Sequence, residues 1–341
     1  MRIATYNVEW FNNLFDDENI VMNDRQWSGR QNVKRVEQLA ALEVVFKAID
    51  ADAIMIVEAP DSNGLRSTVT SLENFATYCS LRTTKVLTGF LNDTQQEIAL
   101  LYDPAILTAR HDPKGERTGK KGATGAPRFD SVFRWDLDVD AASETVTFSK
   151  PPLEVAMQTK AGTAVRLIGV HVKSKAPHGA SGRAAIMRVS IENRRKQLAQ
   201  CIWLRGRVQE HLSAGESLIV LGDFNDGPGL DEYEKLFGRS GVEIVMGEDG
   251  DMCLFDPHAR LALTRRIGAM PVTARFYIAH EKRYLQVLLD YVMVSEDLRT
   301  KAPAWRIWHP FDDRECYEDA ILREALLTAS DHFPVTLDLD I

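Results

Sequence analysis

Apolar residues in this chain fall into blocks of two spacings. Short, continuously apolar runs occupy 54–57 and 218–221, with similar runs at 98–101, 165–170 and 285–294. They are bounded by Gly, Pro, Asp or Asn and are rich in Val, Ile and Leu, the pattern of buried strands. In 32–50, by contrast, Val36, Leu39, Ala40, Leu42, Val45, Phe46 and Ile49 recur at helical spacing. The pattern predicts strands at 2–8, 51–60, 97–104, 129–137, 152–159, 164–174, 217–222, 285–295 and 333–340. It predicts helices at 32–50, 62–76 (capped by Ser62 or Asn63) and 183–212, the last starting near Ser181 or Gly182. Strands outnumber helices without strict alternation, which favours a mixed β core with helices outside over a βαβ winding. No compositional linker divides the 341 residues, so one domain over 1–341 is expected. Residues 111–128 (HDPKGERTGKKGATGAPR) are rich in Gly, Lys, Arg and Pro and are expected to form a mobile, basic surface loop.

Composition adds exclusions. No apolar run approaches the ~18 residues of a membrane span, and the N-terminus enters a strand without an apolar leader, so a cytoplasmic protein is expected. Cys79, Cys201, Cys253 and Cys316 are scattered, which argues against a disulfide framework or a zinc site. The net charge of −8 excludes a globally basic nucleic-acid binder. It does not exclude a nucleic-acid substrate met through a bound cation and a few local ones. Arg183, Arg188, Arg194, Arg195, Lys196, Arg205 and Arg207 cluster along one predicted helix. They are either a solvated face or a path for phosphates.

The chemistry gathers at the strand ends. Strand 2–8 ends in Asn7 and Glu9, and 51–60 in Glu58. Strand 164–174 ends in His171, Lys173 and Ser174, and 217–222 in Asp223 and Asn225. Asp290 lies inside an apolar run, and Asp331 and His332 precede the last strand. Turn residues at one strand end are ordinary. A charge inside an apolar strand is costly unless paired, and here the design repeats on six strands. Convergence at one rim would build a metal and phosphate site.

These motifs, in this order, resemble the endonuclease/exonuclease/phosphatase superfamily, which includes deoxyribonucleases, abasic-site endonucleases, sphingomyelinases and inositol polyphosphate phosphatases. The likeness rests on TYNVEWF (5–11), Glu58 in IMIVEAP, GVHVKSK (169–175), LGDFNDGP (221–228), LLDYVMVS (288–295) and SDHFPV (330–335), with FSKPPLEV (148–155) as a further strand carrying Lys150. Val57 stands where relatives commonly carry Gln, and the 111–128 loop is longer than expected.

The resemblance implies a four-layered α/β sandwich, two mixed β-sheets packed face to face with helices outside. It implies Glu58 as principal metal ligand, helped by Glu9 and Asp331, with hard carboxylates suited to Mg²⁺ or Mn²⁺. Asp223 would activate the attacking water, positioned by Asn7 and Asn225. His332 paired with Asp290, and His171 from another side, would stabilise phosphoryl oxygens, while Lys150, Lys173 and Ser174 would contact substrate phosphate. The expected activity is metal-dependent hydrolysis of phosphodiesters in DNA or RNA by a monomer. A small phosphorylated metabolite, phosphoinositide or sphingomyelin is the alternative substrate, and a non-enzymatic binding module the remote one.

Overall fold

The computed structural model describes the chain apart from residues 93, 95, 136–143, 178, 229–236, 249–251, 265–269 and 279–281. Its strands run β1 (Arg2–Asn7), β2 (Ala53–Ala59), β3 (Lys85–Thr88), β4 (Glu97–Tyr102), β5 (Leu107–His111), β6 (Phe133–Trp135), β7 (Glu144–Val146) and β8 (Leu153–Thr159). They continue with β9 (Ala164–His171), β10 (Leu218–Asp223), β11 (Leu254–Phe255), β12 (Ala274–Ile278), β13 (Arg283–Val287), β14 (Asp290–Ser295), β15 (Ala304–Ile307) and β16 (Val335–Asp338). The longer helices are α1 (Arg35–Ile49), α2 (Thr68–Tyr78) and α3 (Arg183–Ser213), with Ala320–Ala329 near the C-terminus.

Among the described residues these strands form two mixed six-stranded sheets, ordered β15-β16-β1-β2-β4-β3 and β11-β14-β10-β9-β8-β5, and the two-stranded pairs β12-β13 and β6-β7. Strand alternation sends successive side chains to opposite faces. In β2, Ala53 and Met55 join an apolar layer between the sheets, while Ile54 and Ile56 face α1, α2 and the 320–329 helix. In β10, Ile219 and Leu221 enter the same central layer, while Leu218 and Val220 pack beneath Trp203, Leu204 and Val208 of α3. Three apolar layers between four structural ones make the expected α/β sandwich. Each fully buried side chain of this kind contributes about 1.5–3 kcal/mol. The sheets approach so closely that a Cβ on Gly169 would lie 2.4 Å from the Met55 sulfur.

Several local expectations are corrected. Helix α2 starts at Thr68, not near 62, because Ser62 and Asn63 build a turn: Asn63 Oδ1 accepts from the amides of Leu65 and Arg66, and Ser62 Oγ from that of Thr68. The run 285–295 is two strands in different sheets, separated at 288–289, where Thr273 Oγ1 accepts from the amides of Leu289 and Asp290. Of the strand expected at 129–137, only Phe133–Trp135 is a described strand, and 136–137 lie outside the described residues. The expected 111–128 loop begins one residue later, since His111 closes β5; within it Trp203 Nε1 donates to Pro127 O (2.8 Å), Arg207 Nη2 to Ala126 O (2.7 Å), and Thr118 exchanges hydrogen bonds with Val132. The Arg-rich helix is not a continuous solvated face, since Arg194 and Arg207 are buried against Asp226 and Glu154. No helix among the described residues is long and apolar enough to cross a membrane.

Candidate active site

The alternation that builds the central layer also ends it. Ile3, Thr5 and Asn7 share one face of β1, and Ile219, Leu221 and Asp223 one face of β10. Asp223 is in register with His171 on parallel β9 and with Asp290 on antiparallel β14, so three polar side chains stand abreast. Gly222 permits this pairing: its φ is 136°, and a Cβ there would lie 2.1 Å from Val170 O. On the opposing sheet, Asn7 pairs with Val57, and the register shifts between Val57 and Ala59. Glu58 sits in that bulge with φ 61°, and Asn225 adopts φ 49°. Left-handed backbone at a non-glycine costs on the order of 1–3 kcal/mol and collects at functional positions.

Asp223 is buried and held by three donors. Asn225 N reaches Oδ1 at 2.7 Å, while Asn7 Nδ2, crossing from the other sheet, and Asn225 Nδ2 reach Oδ2 at 3.1 Å each. Burial, then the charge of Asp290, pushes its pKa up to about 7. His332 Nδ1 lies 2.7 Å from Asp290 Oδ2. Burial opposes a charge on this ring, but Asp290, Asp331 and Asp223 outweigh it and raise its pKa well above the usual value. His171 behaves oppositely: burial and the adjacent Lys150 ammonium lower its pKa well below the ordinary value. Lys150 Nζ is 3.2 Å from His171 Nδ1. Nε2 lies 3.5 Å from the same ammonium, 3.7 Å from Asp223 Oδ2 and 4.0 Å from Glu58 Oε1.

The expected metal ligands are placed less evenly. Glu58 is largely but not fully buried, and desolvation raises its pKa, with Lys150 and His332 opposing and Asp331 reinforcing the shift. Glu9 is pushed up to about 7 by burial and by the negative charge of Asp331, against the pull of Arg30. Its carboxylate pairs with Arg30 and accepts from Trp10 Nε1. Asp331 and Glu9 line a cleft of about 550 Å³ beside the site. Mutual repulsion among Glu9, Glu58 and Asp331 is what a divalent cation would relieve, and Asn7 Oδ1 and Asp290 Oδ1 are buried acceptors without hydrogen-bond partners. Asp223, Asp290 and His332 also crowd within 4.8 Å. The contact with Asp290 occupies His332 Nδ1, whereas the hard carboxylate oxygens of Glu58, Glu9 and Asp331 fit Mg²⁺ or Mn²⁺.

Of the expected phosphate contacts, Lys150 lies inside the site. Lys173 is half-buried, and burial and Lys196 lower its pKa. The Ser174 hydroxyl accepts from the Ala176 amide in a local turn. Several contributors were not among the expected site residues. Ser330 Oγ donates to Asn7 O and accepts from the amides of Glu9 and His332, joining both halves of the site. Gln96 accepts from Lys150, and Thr273 fixes the approach to Asp290. Ser330 is the first residue of the SDHFPV stretch, although that motif assigned it no role; Gln96 and Thr273 stand in no recognisable pattern.

A sequence model described as the Endonuclease/Exonuclease/phosphatase family matches residues 4–332. The chain belongs to this family. No curated protein matches the chain. Among solved structures, truncated Caenorhabditis elegans TDP2 superposes with a TM-score of 0.52 at 15% identity, covering 98% of this chain and 96% of that one. An endonuclease/exonuclease/phosphatase family protein from Bacteroides thetaiotaomicron gives 0.50 at 12% identity, with 99% and 93% covered. At such identities the likeness is one of fold. Family membership makes phosphoric ester hydrolysis the reaction class.

Proposed function

We propose that the protein is a Mg²⁺- or Mn²⁺-dependent phosphodiesterase that cleaves nucleic acid by in-line attack of water. The observation that carries this reading is Asp223: buried, fixed by three donors, flanked in register by His171 and Asp290, and titrating near neutrality. A base of that pKa is half-ionised at neutral pH and can take the proton of an attacking water. Asn225 N holds Oδ1, and Asn7 Nδ2 and Asn225 Nδ2 hold Oδ2, which fixes the orientation of the carboxylate. His332, charged through Asp290, presents Nε2–H to a phosphoryl oxygen as negative charge grows there. His171, kept neutral by burial and by the Lys150 charge, would offer a second N–H donor. Such preorganised donors typically account for roughly 10²–10³ in rate each. Glu58, with Glu9 and Asp331, would hold the cation, whose role when bound is Lewis-acid polarisation of the phosphoryl group. The ester oxygen leaves with a proton from solvent, and the proton on Asp223 returns to water.

The test is a panel of plasmid DNA, single-stranded DNA, RNA, inositol phosphates and sphingomyelin, in Mg²⁺ or Mn²⁺ and ¹⁸O-labelled water. The expected result is cleavage of a polynucleotide with one labelled oxygen in the product phosphate. Turnover confined to inositol phosphates or sphingomyelin would overturn the nucleic-acid assignment.

A further inference from the structure

Beside the catalytic edge, one wall of the 550 Å³ cleft is the β12–β13 hairpin. Tyr277 pairs with Tyr284 across the hairpin, and Arg275 with Gln286, so Arg275, Tyr277 and Tyr284 share one face. The two tyrosine rings lie 5.2 Å apart, and the Arg275 guanidinium lies 4.0 Å from the Tyr284 ring centre. Both tyrosines are substantially exposed, 41% and 53%. Large aromatic side chains are usually buried, and neither ring contributes to the hydrophobic cluster on the other face of this hairpin, where Phe276 and Leu285 pack. The Arg275 Nε is buried without a hydrogen-bond partner. The hairpin is coupled to the site: Phe276 packs edge-on against His332 (5.5 Å), and Arg275 N donates to Asp331 O (2.7 Å).

The cleft's charge says what it would accept. Arg30 is engaged by Glu9, Glu9 and Asp331 are the groups assigned to the cation, and the Arg275 guanidinium lies against the Tyr284 ring, so the hairpin wall offers an aromatic surface rather than a free phosphate clamp. An uncharged aromatic ring would meet two tyrosine faces and a guanidinium plane. A cavity of this volume lies in the range of small-molecule subsites. We propose that this cleft is a stacking subsite for an unpaired nucleobase next to the scissile phosphate, making Tyr277, Tyr284 and Arg275 determinants of specificity for single-stranded or frayed ends. This rests on the nucleic-acid reading above.

The test compares cleavage of a single-stranded oligonucleotide with that of an abasic, tetrahydrofuran-linked oligomer of equal length. The proteins are wild type, Tyr277→Ala, Tyr284→Ala and Tyr284→Phe, with circular dichroism to confirm folding. Stacking on an aromatic side chain changes affinity by roughly tenfold or more per base. The expected result is a lower wild-type KM for the base-bearing oligomer, by about that factor. The preference should collapse toward one in both alanine variants and be retained in Tyr284→Phe. No wild-type preference, or one that survives both alanine changes while the oligonucleotide is still cleaved, would overturn the subsite and leave the nuclease reading standing. If neither oligomer is cleaved while another phosphoester is, the nucleic-acid reading falls and the subsite with it.

Discussion

Asp290→Asn keeps the shape of the site and removes one charge. The Asp290–His332 contact is 2.7 Å long and buried on both sides. With charge centres about 4 Å apart and an effective dielectric near 20, the attraction is on the order of 4 kcal/mol. Were all of it expressed in the transition state, the rate loss would be about 10³. Mutations of single oxyanion donors give about 10²–10³, so kcat/KM should fall by roughly that range. The pH profile makes the prediction specific. On the acid limb Asp223 must lose its proton; burial first, and Asp290 next, raise its pKa, so removing the charge of Asp290 moves this limb to lower pH. On the alkaline limb His332 must keep its proton; Asp290 raises its pKa, so this limb also moves to lower pH. The assay is kcat/KM against pH on one phosphodiester at saturating metal. A uniform drop with both limbs in place would refute the assigned roles of Asp223 and His332.

Three further outcomes follow from the same geometry. Asp223→Asn should lower kcat by roughly 10²–10⁴. In chelator it should also unfold at higher urea than wild type above neutral pH. The folded Asp223 titrates near 7 rather than 3.8, so wild type loses stability as pH rises between these values; the variant's advantage approaches at most about 4 kcal/mol above 7 and vanishes below 3.8. Glu58→Gln should weaken Mn²⁺ binding in calorimetric titration by at least about tenfold; unchanged affinity would place the cation elsewhere. Ser330→Ala leaves the amides of Glu9 and His332 without their acceptor, and should cost about 1–3 kcal/mol by denaturant unfolding and lower kcat with it.

The catalytic edge was legible because strand alternation is local. Once 2–8, 164–174 and 217–222 are strands, the polar residues following their apolar positions must emerge at strand ends. What alternation could not supply was the partner across space. Arg194 and Arg207 look solvated in a basic helix, and only the fold shows Asp226 and Glu154 beneath them. Arg30 takes up Glu9 from a loop without periodicity. The 288–289 break was hidden because Leu288 and Leu289 prolong the apolar run, although they carry the chain from a hairpin into a different sheet. The 320–329 helix was not among the predicted elements, although its buried Leu322, Ala325, Leu326 and Ala329 stand at helical spacing. Strands β3 and β15 are short and partly exposed, so their sequences carry little alternation to detect.

The most direct test of the central claim is phosphodiester turnover by the purified protein after exhaustive chelation, followed by graded return of Mg²⁺ or Mn²⁺, with Glu58→Gln run in parallel. The account predicts no turnover in chelator, saturable recovery with either ion in wild type, and recovery in the variant only at much higher metal concentration, if at all. Undiminished turnover in chelator, or wild-type metal dependence in Glu58→Gln, would contradict it.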